Sequence, residues 1–556
     1  MAIVACNEAP KLPPELSALD SGKSTDDAGV DPSCGDDAGP SGGGMFATPK
    51  VAPNDDPATC DQAAQWQSYV GCDFWPTVVA NNAWSIFDYA VVVANAGTQP
   101  ANVTVTGPGG TSQAQTVAPN TLAKIYLPWI PELKGPDADS CGKSQPLTGS
   151  VLVPGGAYHL VSSVPVTVYQ FNALEYEGKG GPAGKDWSSC PGNGPCNTVG
   201  DPSYGVAVGC FSFSNDSSLL LPSTAMTGSY RVTGPGGWTA RDGMGGSIDL
   251  MGSYTAITAT MNGTHVKVGL SSAGDILAGQ GIAQTSAGGE LDLTMNAGDV
   301  AELAGSLGDA ADQSGSLVTA DQPIQVIAGI PCTFKPEGAP ACDHLEQSVF
   351  PAETLGKHYF VMRPTGPLHT PESAIVRFYG NVDGTMLAYA PTMPPTCPAT
   401  LSAGQVVDCG QVAQDFEVTG SSEFGVAVFM LGATIVDPVG GLGDPSESLV
   451  AAVEQYRTKY VFLAPNDYTR SFIDVVAPTC TTMTLDGQPF TWFSHATIAD
   501  GYTVYRSRLS DAGDGSHVLE AAAPVGVQVM GYGEFTSYQY PAGLNLKHIA
   551  PPPPTK

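Results

Sequence analysis

The densest grouping of side chains able to do chemistry is Cys342-Asp343-His344-Leu345-Glu346, with Lys357 and His358 shortly downstream. Imidazole and carboxylate are ligands for first-row metals, which makes Asp343, His344 and Glu346 the metal candidates of the chain. A turn that gathers polar side chains beside a disulfide accounts for the same residues, and no metal is assigned to them. The remaining histidines, His159, His265, His369, His495, His517 and His548, lie far apart and form no H-x-x-x-H pair. No G-x-S-x-G elbow or assembled S-x-x-K pattern accompanies the many serines. The two GPGG stretches at 107–110 and 234–237 lack both the Lys-Ser/Thr ending and the following helix of a phosphate cradle, and read as hairpin turns. Acid pairs occur throughout an acidic chain, and without geometry they define no glycosidase dyad. No catalytic or cofactor-binding residue is therefore assigned, and the chain reads as non-enzymatic.

The cysteines carry a different chemistry. Thirteen are present, and Cys60 with Cys72, Cys190 with Cys196, Cys332 with Cys342, and Cys397 with Cys409 lie close in sequence. Such spacing suits local disulfides closing surface loops in an exported protein, with the Cys190–Cys196 excursion as one of them. No C-x2-C pair or zinc-finger histidine offset favours zinc. Cys6 stands apart, because Ile3-Val4-Ala5-Cys6 resembles the end of a bacterial lipoprotein signal, although its usual basic region and long apolar stretch are missing. On that reading residues 1–6 are a signal remnant, Cys6 is lipidated, and the anchor holds the protein on a membrane without crossing it. Residues 7–58 are acidic and rich in Pro and Gly, the composition of a disordered stalk. Its DDAGVDPSCGDD segment is the place where Ca2+ is considered, without the ligand spacing of an EF-hand.

The elements that must position these residues are strands. The chain holds 67 Gly and 47 Pro among 556 residues with a hydrophobic fraction of 42%, which points to many strands joined by turns around large cores. One pattern recurs at residues 157–171, 318–326, 418–428 and 519–529, with spacings of about 160, 100 and 100 residues. Each copy reads as strand, tight connection, strand, and is expected to be a hairpin closing one module. The expected fold is all-β: tandem antiparallel β-sandwich-like modules following the stalk. Their expected spans are 60–203, 204–346, 347–440 and 448–545, with a Pro-rich tail at 546–556 and one short helix within 446–456.

A family resemblance covers most of residues 70–545. It rests on Ser218-Leu-Leu-Leu-Pro222, Asn262-Gly-Thr-His-Val266, Ala297-Gly-Asp299, residues 316–329, Cys332 with Cys342-Asp-His-Leu-Glu346, Pro351-Ala-Glu-Thr-Leu-Gly-Lys-His-Tyr359, and Tyr540-Pro-Ala-Gly-Leu544. As a set these are similar to the domain named after the amino-terminal region of the IgG Fc-binding protein, also common in large exported proteins of myxobacteria and related bacteria. The resemblance implies adhesion or protein recognition at a cell surface, and it carries no set of Fc-binding residues onto this chain.

Charge narrows the partners. With 53 acidic and 22 basic residues the formal charge is -31, and no Lys/Arg cluster exists to release counterions from nucleic acid. The expected protein is a surface or outer-membrane lipoprotein of a bacterium whose modules bind a cell-surface or matrix protein or glycan, or assemble with themselves. A filament or coat subunit and a secreted hydrolase of polysaccharide or peptide stand as the alternatives.

Overall fold

The computed structural model describes residues 57–212, 216–241, 247–339, 342–465, 468–499, 501–510 and 515–554. Cys6, the stalk up to residue 56 and its acidic segment lie outside them. The described chain is almost entirely β, arranged as four sandwiches with one shared topology.

The second sandwich shows the plan. Its outer sheet runs Glu290–Met295, Thr264–Gly269, Leu317–Ala320, Ser229–Arg231, and its inner sheet runs Val300–Ala304, Tyr254–Ala259, Ile324–Thr333, Asp343–Ser348. A short strand from the preceding unit, Val151–Val153, extends the inner sheet. The third sandwich repeats the order with Thr400–Leu401, Thr385–Ala390, Phe416–Gly420, His358–Val361 outside and Val406–Val412, Ala374–Gly380, Phe424–Phe429, Glu447–Leu449 inside. The first and fourth follow the same order and end on Ser217–Leu219 and Thr536–Pro541. The first and third sandwiches thus take their last strands, Ser217–Leu219 and Glu447–Leu449, from beyond the spans that composition suggests for them, and the last strand of the second, Asp343–Ser348, runs two residues past its span.

Burial separates the two sheets. Outer strands such as Thr264–Gly269 alternate buried and exposed residues, the pattern of a half-solvated face. Inner strands such as Tyr254–Ala259 and Phe424–Phe429 are buried at every position, because their second face is covered by neighbouring sandwiches. Those neighbours form a closed ring. The first and second meet through Gln325 Nε2 donating to Trp75 O at 2.8 Å and the Ala80 amide donating to Glu302 at 3.0 Å. Tyr379 and Arg377 of the third bond the Gly234 carbonyl of the second at 2.9 and 2.7 Å, so this GPGG is a seam contact rather than a hairpin turn. Thr365 donates to Asp474 across the third seam at 2.6 and 2.9 Å. The fourth sandwich then returns to the first: Tyr69 N donates to Leu544 O at 3.2 Å, Leu546 N to Gln67 O at 2.8 Å, and Tyr169 Oη to Ala542 O at 3.1 Å.

The recurring segment is not a hairpin. His159–Phe171 and Ser516–Gly533 are single long strands. Leu160 to Ser162 pair with the outer strand Ala101–Gly107, whereas Thr167 to Phe171 pair with the inner strand Tyr89–Asn95. In the second and third sandwiches the two halves are separate strands that likewise belong to different sheets. All four copies therefore carry the chain across the corner of a sandwich. Pro165, Pro323 and Pro524 sit at three of these corners, where a residue without an N–H interrupts no continuing ladder. The short helix expected within 446–456 is a single 3-10 turn at Val453–Gln455, preceded by the strand Glu447–Leu449.

A buried tyrosine fixes three corners. The hydroxyls of Tyr230, Tyr359 and Tyr460 donate to the carbonyls of Ile324, Phe424 and Val525, and accept from the amides of Thr227, Gly356 and Arg457. In the first sandwich Phe74 occupies the corresponding register, opposite Leu160.

Candidate functional site: a polar hub where four strands meet

The last strands of the four sandwiches converge at the centre of the ring. Ser217–Leu219 touches both Asp343–Ser348 and Thr536–Pro541, and Glu447–Leu449 touches the same two. Pairing register aligns Ser217, Glu346, Glu447 and Gln539, which lie opposite Phe171, Gly329, Phe429 and Met530 of the corner strands. Three residues before the two glutamates stand Asp343 and Asp444, with Thr536 at the matching place in the fourth strand.

This centre is buried yet polar. Asp216, Asp343, Glu346, Asp444 and Glu447 are each at most 1% exposed. Asp216 is held: Ser446 donates to it at 2.8 Å, and the amides of Glu447 and Glu346 at 3.2 and 3.4 Å. The others are held incompletely. Both oxygens of Asp343 and of Glu447, one of Glu346 and one of Asp444 have no hydrogen-bond partner among the described residues. The Ser537 amide and the Thr536 hydroxyl face Asp343 and favour its charged form against the effect of burial. Burial pushes Asp216 up to about 8 and Glu447 up to about 8, and raises Asp343, Glu346 and Asp444 well above the carboxylate range. The negative charge of Asp444 lifts Asp343 further.

The structure places the sequence-derived candidates here but turns them apart. Asp343 faces Asp444, His344 Nε2 meets the Tyr254 hydroxyl at 2.8 Å, and Glu346 accepts from Asn172 Nδ2 at 2.6 Å. Burial pushes His344 down to about 3, so its imidazole is neutral. These three side chains therefore do not form one ligand set. Among the described residues the only trio of converging His, Cys, Asp or Glu donors is Cys141, Cys196 and Asp201, and its two sulfurs are bonded to each other. Lys357 and His358 lie elsewhere, with His358 on Glu417 at 2.7 Å. Asp216, Asp444 and Glu447 were missed because their strands are too short to show alternation. An acid followed by Ser and Leu marks two of them, in Asp216-Ser-Ser-Leu and Glu447-Ser-Leu, ahead of the links to the second and fourth sandwiches; Asp444 carries no such signal.

Disulfides brace the periphery: Cys60–Cys72, Cys332–Cys342 and Cys397–Cys409 close short loops. Cys190 and Cys196 do not bond each other. Cys190 joins Cys210 and Cys196 joins Cys141, which ties the excursion to two separate parts of the first sandwich. So many bonds fit an oxidising compartment.

A ring of similar sandwiches with a polar centre defines the class, and the family follows from comparison. The chain belongs to the family described as IgGFc binding protein, whose model matches residues 216–531. That span begins at the last strand of the first sandwich and takes in most of the other three. No curated protein matches the chain. Among solved structures, the crystal structure of a tetra-tandem repeat in the extending region of a large adhesion protein is 12% identical, covers 85% of this chain and 99% of its own, and has a TM-score of 0.08.

Proposed function

We propose that the protein is a non-catalytic extracytoplasmic recognition protein, anchored through Cys6, whose four modules present outer sheets and loops to a cell-surface or matrix protein or glycan. The observation that carries this reading is membership of the IgGFc-binding family by the three sandwiches that match it. The architecture agrees: inner sheets are consumed by the ring, which leaves the outer sheets as the free faces.

The outer sheet of the second sandwich offers an open depression of ≈ 460 Å³ lined by His265, Lys267, Asp292, Thr294, Thr319 and Asp321. Its mixed donors and acceptors suit hydroxyl-rich or peptide ligands. The test is to immobilise the oxidised protein and present glycans, matrix proteins and Fc fragment in turn. Saturable binding that weakens on Lys267→Ala plus Thr294→Ala is expected. Turnover of a polysaccharide or peptide substrate, or no binding to any of these, would overturn the reading.

A further inference from the structure

The hub contains a second kind of site, independent of the outer faces. Asp343 and Asp444 occupy matching positions in two different sandwiches and meet at the ring centre, each 1% exposed. Three of their four carboxylate oxygens have no hydrogen-bond partner among the described residues. Buried polar atoms left in this state cost free energy, and their presence in a folded protein calls for a bound ion or water. The cations near the hub serve other groups: Lys335 and Arg377 act on Glu447.

The donor chemistry selects the occupant. His344 is turned away to Tyr254, so the atoms around the gap are oxygens: two carboxylates and the Thr536 hydroxyl facing Asp343. Asp216 lies nearby, but its oxygens are already engaged by Ser446 and three backbone amides. An all-oxygen set carrying two charges suits a hard divalent cation with flexible coordination, and it disfavours zinc or copper. We propose that Asp343 and Asp444 hold a calcium ion at the hub, with the Thr536 hydroxyl and water completing its shell. The ion would join the second, third and fourth sandwiches at the one place where all four last strands meet.

The competing account is a pair of carboxyls sharing a proton. Metal analysis of the full oxidised chain, dialysed against metal-free buffer after exposure to CaCl2, separates the two. About one calcium per chain is expected. Chelation with EGTA should lower Tm, and added CaCl2 should restore it. Asp343→Asn and Asp444→Asn, each alone, should lose the calcium and the response to EGTA, whereas Lys267→Ala on the outer sheet should keep both. A wild-type chain that is free of calcium and whose Tm ignores both calcium and EGTA sinks the proposal, and that result needs no variant to fold.

Discussion

The interior of a sandwich and the hub of the ring are equally shielded from water and opposite in composition. In the third sandwich Phe378, Val376, Val418, Val426 and Val428 fill the space between sheets with apolar volume. At the hub the same degree of burial falls on Asp343, Glu346, Gln347, Ser348, Asp444 and Glu447. Burial of apolar area drives folding, whereas buried polar atoms stabilise only when every partner is in place. The sandwiches are therefore what makes the chain fold, and the hub is where their last strands come together.

The largest effect should come from the apolar side of that contrast. Phe378 is fully buried and packs near the rings of Phe424 and Tyr389. Phe378→Ala should cost about 3–5 kcal/mol through lost burial and a residual cavity. Urea unfolding with disulfides intact reads this as a lower midpoint for the transition that includes the third sandwich. An unchanged midpoint would mean that the ring, not the sandwich core, holds this unit together.

A seam acid gives the next largest effect. Asp474 is buried between the third and fourth sandwiches, and burial pushes it up to about 6 despite the nearby Arg506 and two bonds from Thr365. A folded pKa above the unfolded value of 3.8 means that the folded state holds the proton more tightly. The stability tied to this proton is fully present below about pH 4 and is lost as pH rises through about 6, a change on the order of 3 kcal/mol. Asp474→Asn carries no such proton. Measured from pH 4 to 7, the variant should gain on the wild type as pH rises; parallel curves would show that Asp474 does not titrate in the fold.

What could be read from residue types follows the same division. Alternating Val, Thr and Ile announce strands, and the all-β class follows from them without knowledge of any partner. The recurrence at 157–171, 318–326, 418–428 and 519–529 is equally visible, but its meaning depends on which strands lie alongside. A strand with Pro165 at a sheet corner and a hairpin with Pro165 in its turn have the same local pattern, and only the pairing of Leu160 with Val105 and of Val168 with Val93 distinguishes them. The hub is harder still. Asp343 and Glu346 drew notice by local density, yet the partner of Asp343 lies about a hundred residues away in Asp444, and no local rule joins them.

The smallest predicted effect lies where the two environments meet, at a polar atom inside an apolar corner. Tyr359 is 1% exposed, and its hydroxyl accepts from the Gly356 amide at 3.0 Å while donating to Phe424 O. Tyr359→Phe keeps the ring and removes both bonds, leaving an amide and a carbonyl unpaired, at a cost of about 1–2 kcal/mol. Phe74 already fills this register in the first sandwich, so the ring tolerates the loss at one corner. The variant should fold, with a lower midpoint and faster hydrogen exchange at Gly356 than in the wild type. If exchange at Gly356 does not change, the hydroxyl is not what fastens the corner, and the three tyrosines share a register only for the volume of their rings.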